Sequence, residues 1–286
     1  MVPPAGTAVN PVDKLFAAYL AFVTLVIVVR GGAGEATIWL ITAHLLFGVL
    51  LYLFTRLTPQ DTVGAILHDL YPLFLLMALY TEVGLLGLAL GHTSILEHDT
   101  IVQGWEESIF GMQVSYEWIR RAPSAFWSGV LHLAYALYIP LVLLGPILLE
   151  ARGEREKARR VLLTSVLAYV ACWIVFIVWP VAGPNYAFEQ PSGPVRDVWS
   201  ARFVYSMLHA GSAVGAAFPS SHVAATVAAV GALWSQWRPM GVALILPAAL
   251  LVVGTVYCQM HYAVDAVAGL AVAGVALVIG LRASRV

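Results

Sequence analysis

Two short strings carry side chains equipped for phosphoryl transfer: Phe218-Pro219-Ser220-Ser221-His222 and His261-Tyr262-Ala263-Val264-Asp265. His261 and Asp265 are spaced i, i+4, so on a helix they lie one turn apart on one face. A carboxylate there can accept a hydrogen bond from one imidazole nitrogen and leave the other free as a nucleophile or base. It would also stabilise the positive charge that builds as that nitrogen bonds to phosphorus. Pro219, Ser220 and Ser221 have the character of a helix start, with serine a favoured cap and proline tolerated in a first turn. The free N–H groups of such a start bind phosphate oxygens. Beside them His222 is placed to protonate a leaving alcohol.

These strings open the last apolar segments of a chain that is mostly apolar. Of 286 residues 60% are hydrophobic and 11% charged, against roughly 45–50% and 25% in soluble domains. A chain in lipid must satisfy its backbone internally, by helices or a closed barrel. Barrels alternate in short segments, whereas the runs here are continuous and near the length of a spanning helix. The expected fold is an all-α polytopic transmembrane helical bundle of about eight spans, over Leu15–Val29, Ala36–Thr55, Leu70–Leu90, Phe126–Leu149, Val161–Val181, Pro219–Gln236, Gly241–Cys258 and Tyr262–Leu281. The first is the shortest. The chain reads as a single integral-membrane domain, with 1–90 as N-terminal spans and 91–286 as the core that carries the chemistry. The proline-bearing start lacks a basic n-region, so no cleaved signal peptide is expected.

Net charge of −1 gives no sign of nucleic-acid binding. Cys172 and Cys258 lie in apolar runs and read as packing residues, and no metal-ligand spacing occurs. Three connections stand out: a charged stretch from Glu150 to Arg160, an amphipathic one from Gly91 to Ala125, and one from Ala182 to Phe218 with a short helix expected over Asp197–His209. With eight spans, ten of the 15 Lys and Arg fall on one side: Lys14, Arg56, the five of the charged stretch, Arg238, Arg282 and Arg285. Arg30, Arg120, Arg121, Arg196 and Arg202 fall on the other. The positive-inside tendency then puts both termini in the cytoplasm and both motifs on the extracytoplasmic face, in the plasma membrane. One span separates the two motif-bearing helices, so both start on the same face.

The order Phe-Pro-Ser-Ser-His then His-Tyr-x-x-Asp resembles the type-2 phosphatidic acid phosphatase superfamily. Ala217 to Ala224, and Thr255-Val-Tyr followed by His261-Tyr-x-x-Asp265-x-x-x-Gly269, are similar to its inositolphosphorylceramide synthase-like branch. Upstream, His98-Asp99, Phe110-Gly111, Trp118, Leu133-Ala-Tyr135 and Pro140 resemble that branch more loosely. The resemblance implies a six-helix phosphatase-type core preceded by extra N-terminal spans. It implies that His261 attacks phosphorus to form a histidine-linked intermediate, Asp265 orients it, and His222 protonates the leaving alcohol. No cofactor or metal is implied. The partners implied are a phospholipid or lipid-phosphate substrate in the bilayer and, for transfer, an alcohol acceptor. The Lys-x-x-x-x-x-x-Arg-Pro pattern of the superfamily's phosphatases is absent, and Thr255 stands where the superfamily has an arginine before the second histidine. Ser220, Ser221, Asn185 and Arg202 are the residues expected to hold the substrate, with Arg120, Arg121 and Arg196 as other sources of positive charge.

Transfer of a phosphoryl or phospho-headgroup is the leading reading, and hydrolysis of a lipid phosphate is its alternative. A proton-coupled transporter using His222, His261 and Asp265 as a relay, or a noncatalytic lipid-binding protein, are readings of another class. Elsewhere Glu82 is open to a proton or headgroup role or to an interior hydrogen bond. His44 and His132 read as satisfied core histidines, and His209 as interfacial.

Overall fold

Long uninterrupted apolar runs with no water to satisfy their amides leave intrachain i→i−4 bonding as the stable solution, and most of the described residues are helical. The structure, a computed structural model, describes residues 10–30, 35–56, 62–89, 95–211 and 213–283. Arg285, Gly91 and the start of the chain through residue 9 lie outside the described residues.

In chain order the helices are α1 (Pro11–Arg30), α2 (Glu35–Arg56), α3 (Thr62–Ala89), α4 (Ile95–Phe110), α5 (Val114–Arg121), α6 (Ala125–Ala136), α7 (Tyr138–Ala151), α8 (Arg155–Val178), α9 (Pro184–Ala187), α10 (Pro194–Asp197), α11 (Trp199–Gly211), α12 (Ser221–Gln236), α13 (Arg238–Tyr257) and α14 (Ala263–Ala283). Among the described residues the extended backbone amounts to one isolated parallel bridge, Val181 with Ala216. The protein is an all-α polytopic membrane bundle.

Among the described residues six helices are long and apolar enough to span a bilayer: α1, α2, α3, α8, α13 and α14. Counted as one broken span, α6 and α7, bent by 44° to each other, bring the number to seven. The bend falls before Pro140, which lacks an N–H and crowds the carbonyl four residues back, at Ala136, where α6 ends. The expected span Pro219–Gln236 becomes α12, with 16 residues. At 1.5 Å per residue it rises about 24 Å, less than the roughly 30 Å hydrocarbon core. Ser220 caps its start, and the chain leaves helical geometry at Trp237 (ψ 80°).

This short helix is the hub, packed on α7, α8, α13 and α14. Its inner positions are small: Ala224, Ala225, Ala228, Ala229 and Ala232 are all buried, which lets neighbouring backbones come close. The N-terminal helices dock on the α8 side, α1 against α8 and α3 against α7 and α8. Buried polar groups join them. His44 on α2 pairs with Glu82 on α3 and meets the Thr24 hydroxyl of α1 at 2.9 Å. Glu82 thus has an interior partner.

The charged stretch 150–160 is not a loop. Only 152–154 leave helical geometry, and Arg155 and Arg159, on the first turns of α8, converge on the buried Asp69 of α3 at 2.6 and 2.7 Å. The amphipathic connection 91–125 likewise folds, where described, into α4 and α5. The helix expected over 197–209 is α11, two residues later.

Candidate active site

Helix α12 begins after a cis Phe218–Pro219 peptide bond. The Ser220 hydroxyl accepts from the Val223 N–H at 3.4 Å, and the Ser220 N–H donates to the Asp265 carbonyl at 3.0 Å. Ser220, expected at the substrate, therefore spends its hydroxyl on its own helix. Among the described residues the N–H groups of Ser221 and His222 have no acceptor. Ser221 itself is buried.

Helix α14 reaches the same place through a tight turn. The N–H groups of Met260 and His261 both donate to the Thr255 carbonyl, at 3.0 and 2.9 Å. Gln259 in that turn is buried at φ 59°, in the left-handed region. Gly269 permits the close approach of the two helices: a Cβ there would lie 2.6 Å from the Ser220 carbonyl oxygen. This gives the last residue of the His-Tyr-x-x-Asp-x-x-x-Gly pattern a steric reason.

The two motifs meet. His261 Nε2 lies 3.3 Å from His222 Nδ1. On its other side His261 Nδ1 lies 3.0 Å from the Ala217 carbonyl and 3.5 Å from Asp265 Oδ2. A carbonyl only accepts, so in the neutral ring Nδ1 carries the proton and Nε2 presents its lone pair toward His222. The shorter of the two orienting contacts is thus the Ala217 backbone, where the i, i+4 spacing pointed to Asp265. The carboxylate sits beside it, fully buried, with Oδ2 also accepting the Tyr262 N–H at 2.8 Å. His222 is held on its far side by Tyr135 and Tyr138, with ring centroids 4.8 and 4.3 Å away.

Helix α4 fixes this assembly. Asp99 accepts from the Ala182 N–H (2.7 Å), the Gly183 N–H (2.9 Å) and the Tyr262 hydroxyl (2.9 Å). That pins the segment after α8, where Gly183 takes φ 95° and a Cβ would lie 2.9 Å from Ala217 Cβ. Val181 then pairs with the 215–217 strand of chain, which delivers the Ala217 carbonyl to His261. Two turns on, the fully buried Glu106 accepts from the N–H groups of Ala263 (2.7 Å) and Ser115 (3.1 Å), capping α14 and α5 with one carboxylate. Burial pushes the Glu106 carboxyl up from its ordinary range, against those backbone donors that favour the carboxylate. With Glu106 on Ala263 and Asp265 on Tyr262, the first donors of α14 are occupied, and the open N–H groups belong to α12.

Neither Asp99 nor Glu106 was assigned a role from sequence. Their signal is that two acids seven residues apart share a helix face. Replacing Glu106 by alanine leaves buried N–H groups on two helix starts, at about 1–3 kcal/mol each. The expected outcome is a lower melting temperature in detergent and a lower turnover number together, with Glu106→Gln milder than Glu106→Ala. A melt and rate both unchanged in Glu106→Ala refute the capping role.

Two residues expected at the substrate stand apart. Arg202 is exposed on α11, about 200° round the helix from the buried Val204. Asn185 on α9 accepts from Gln190 Nε2 at 3.4 Å. Among the described residues neither bonds to His222, His261 or Asp265. Arg121 pairs with Glu117 at the surface, and Arg196 lies 3.2 Å from the Tyr205 ring centroid. Arg120 is the arginine tied to the second motif. Its Nη1 donates to Gln259 Oε1 at 2.6 Å, two residues before His261, and its Nη2 to the Glu189 carbonyl. His132 is a core histidine, its Nδ1 meeting the Ser128 carbonyl at 2.8 Å and Cys258 Sγ at 3.3 Å. His209 is exposed on α11.

A family model described as the PAP2 superfamily matches residues 100–279, which takes in both motifs, α4 from Thr100 onward, every helix from α5 to α13 and α14 as far as Ile279. No curated protein and no solved structure matches the chain.

Proposed function

This chain belongs to the PAP2 superfamily, and from that premise we propose that it is an integral-membrane phosphoesterase of lipid substrates working through a histidine-linked intermediate. The observation that carries the reading is the meeting of His222 and His261 at 3.3 Å beside the open N–H groups of α12. Phosphate oxygens dock on the Ser221 and His222 N–H groups, at the positive end of α12. His261 Nε2 attacks phosphorus; the N–P bond forms as the bond to the leaving oxygen breaks. His222 gives that oxygen its proton, so the alcohol departs neutral. In the second half a hydroxyl cedes its proton to His222 and attacks phosphorus, and the N–P bond breaks. Asp265, 3.5 Å from Nδ1, stabilises the imidazolium character of the intermediate.

Water as the second hydroxyl gives hydrolysis, the reading that family membership supports at its coarsest. An alcohol acceptor gives transfer, and the sequence likeness to the inositolphosphorylceramide synthase-like branch favours a phospho-headgroup as the group moved. The donors are imidazole and backbone N–H groups, so the reading is metal-independent. The basic bias of the α3–α8 end supports a site on the extracytoplasmic face with both termini cytoplasmic, in what we take to be the plasma membrane. Residues 91–286 form the catalytic unit, to which 1–90 are an addition.

The test is an assay of the purified protein on phosphatidic acid, a polyprenyl phosphate and phosphatidylinositol, with and without a lipid alcohol and in the presence of EDTA. Turnover of at least one, undiminished by chelation, is expected. Failure on all of them overturns the proposal, and a product formed only with the alcohol decides for transfer.

A further inference from the structure

Beside His222 lies a cavity of about 160 Å³ that opens to the outside. Ligand pockets are mostly apolar with a few placed polar groups. The walls fit that description: Leu76, Met77 and Tyr80 from α3, Val142 from α7, Trp173 from α8 and Met207 from α11. Of the two motif imidazoles only His222 lines it. Met77 and Met207 line it and are also exposed, at 50% and 45%, so the mouth opens between α3 and α11 on the outer surface of the bundle. Methionine is the flexible apolar side chain suited to a gate of variable width.

We infer that this cavity holds a hydrocarbon chain of the substrate's leaving alcohol, which enters sideways from the bilayer between Met77 and Met207. The inference rests on the reading of His222 as the group that protonates the leaving oxygen. The group His222 serves lies on the His222 side of phosphorus, away from His261, and the space on that side is apolar. A headgroup alcohol such as an inositol, with many hydroxyls to satisfy, would find few partners there. The lipid alcohol is therefore the part that leaves, and the phosphoryl or phospho-headgroup is the part that stays on His261. The inference also gives α3 a role. This helix precedes the segment matched by the family model, so chain selectivity is set by a wall that the catalytic unit does not supply.

Two measurements test this. The first compares single-chain alkyl phosphates of increasing length with a short water-soluble phosphate ester. Wild-type protein should favour the long chains by about tenfold or more in kcat/KM. Met77→Trp should remove most of that preference and leave the short ester within about twofold, since it narrows the mouth and touches neither motif. Met77→Ala should shift the preference toward bulkier chains, and it stands in if the tryptophan variant does not fold. Absence of chain preference in wild type, or equal loss on long and short esters in Met77→Trp, overturns the inference. The second measurement is independent of turnover. An alkyl phosphate with a photoreactive group near its tail is crosslinked to the full-length protein in detergent, and the labelled peptides are mapped. Label on residues 73–80 of α3 supports the inference, and label confined to α13 and α14 overturns it. Label on α3 without turnover of any ester would refute the proposed chemistry and leave the chain site standing.

Discussion

His261→Ala is expected to lower turnover by at least about 10⁴-fold, because it removes the only step by which the phosphoryl group becomes attached to the protein. The geometry makes substitution by a neighbour difficult. Asp265 is buried on the Nδ1 side of the ring, behind the nucleophile, and His222 is committed to the leaving oxygen. The structural cost is smaller. The Ala217 carbonyl loses its partner at 3.0 Å, and an unsatisfied buried acceptor costs about 1–3 kcal/mol. The variant should therefore remain a folded bundle by gel filtration and thermal melt while losing its rate. A second readout isolates the chemistry: an acid-labile, base-stable phosphoryl label should be trapped on wild-type protein during turnover and be absent from His261→Ala. Full activity, or the same label on the variant, would remove the covalent route.

His222→Ala should slow the reaction by about 10²–10⁴-fold, the usual worth of general acid–base help. The distinguishing feature is dependence on the leaving group. A lipid alkoxide is a poor leaving group and needs its proton, whereas a nitrophenolate does not. The loss should therefore be large with lipid phosphate and shrink severalfold or more with a nitrophenyl ester. Ring contacts with Tyr135, stacked, and Tyr138, tilted, position the imidazole, so a general loosening of the site would damage both substrates alike. Equal damage would assign His222 to phosphate binding and take the acid role from it.

The helices and the pairing of the two motifs were legible in the sequence for physical reasons. Apolar runs of spanning length leave the backbone one choice, and His261 and Asp265 belong to one turn of one helix. The convergence of His222 on His261 followed from parity, since one intervening helix returns the chain to the face it left. The remainder depends on contacts between segments distant in sequence. That the Ala217 carbonyl takes the Nδ1 proton depends on a short bridge between 181 and 216, which no local pattern announces. Glu106 looks like one acid among several on an amphipathic helix until α14 and α5 are seen to start at its carboxylate. Arg202 is plausible by side of the membrane, but its position round α11 turns it outward. Helix α12 starts at Ser221, two residues after the expected Pro219, because Ser220 is its cap and holds an extended backbone (φ −62°, ψ 107°). By composition the charged stretch from Glu150 to Arg160 reads as a connection, yet Asp69 of α3 draws its arginines into a helix start.

The union of α12 with α14 limits how the centre can work. The Ser220 N–H on the Asp265 carbonyl and the close passage of Gly269 fasten the two helices where the histidines stand. A phosphorus atom must nevertheless come between imidazole nitrogens that now touch. Since the scaffold beneath them is riveted, the room has to come from torsion of the His222 ring against its tyrosine bearings, and the bundle can stay still while one side chain swings to admit the ester.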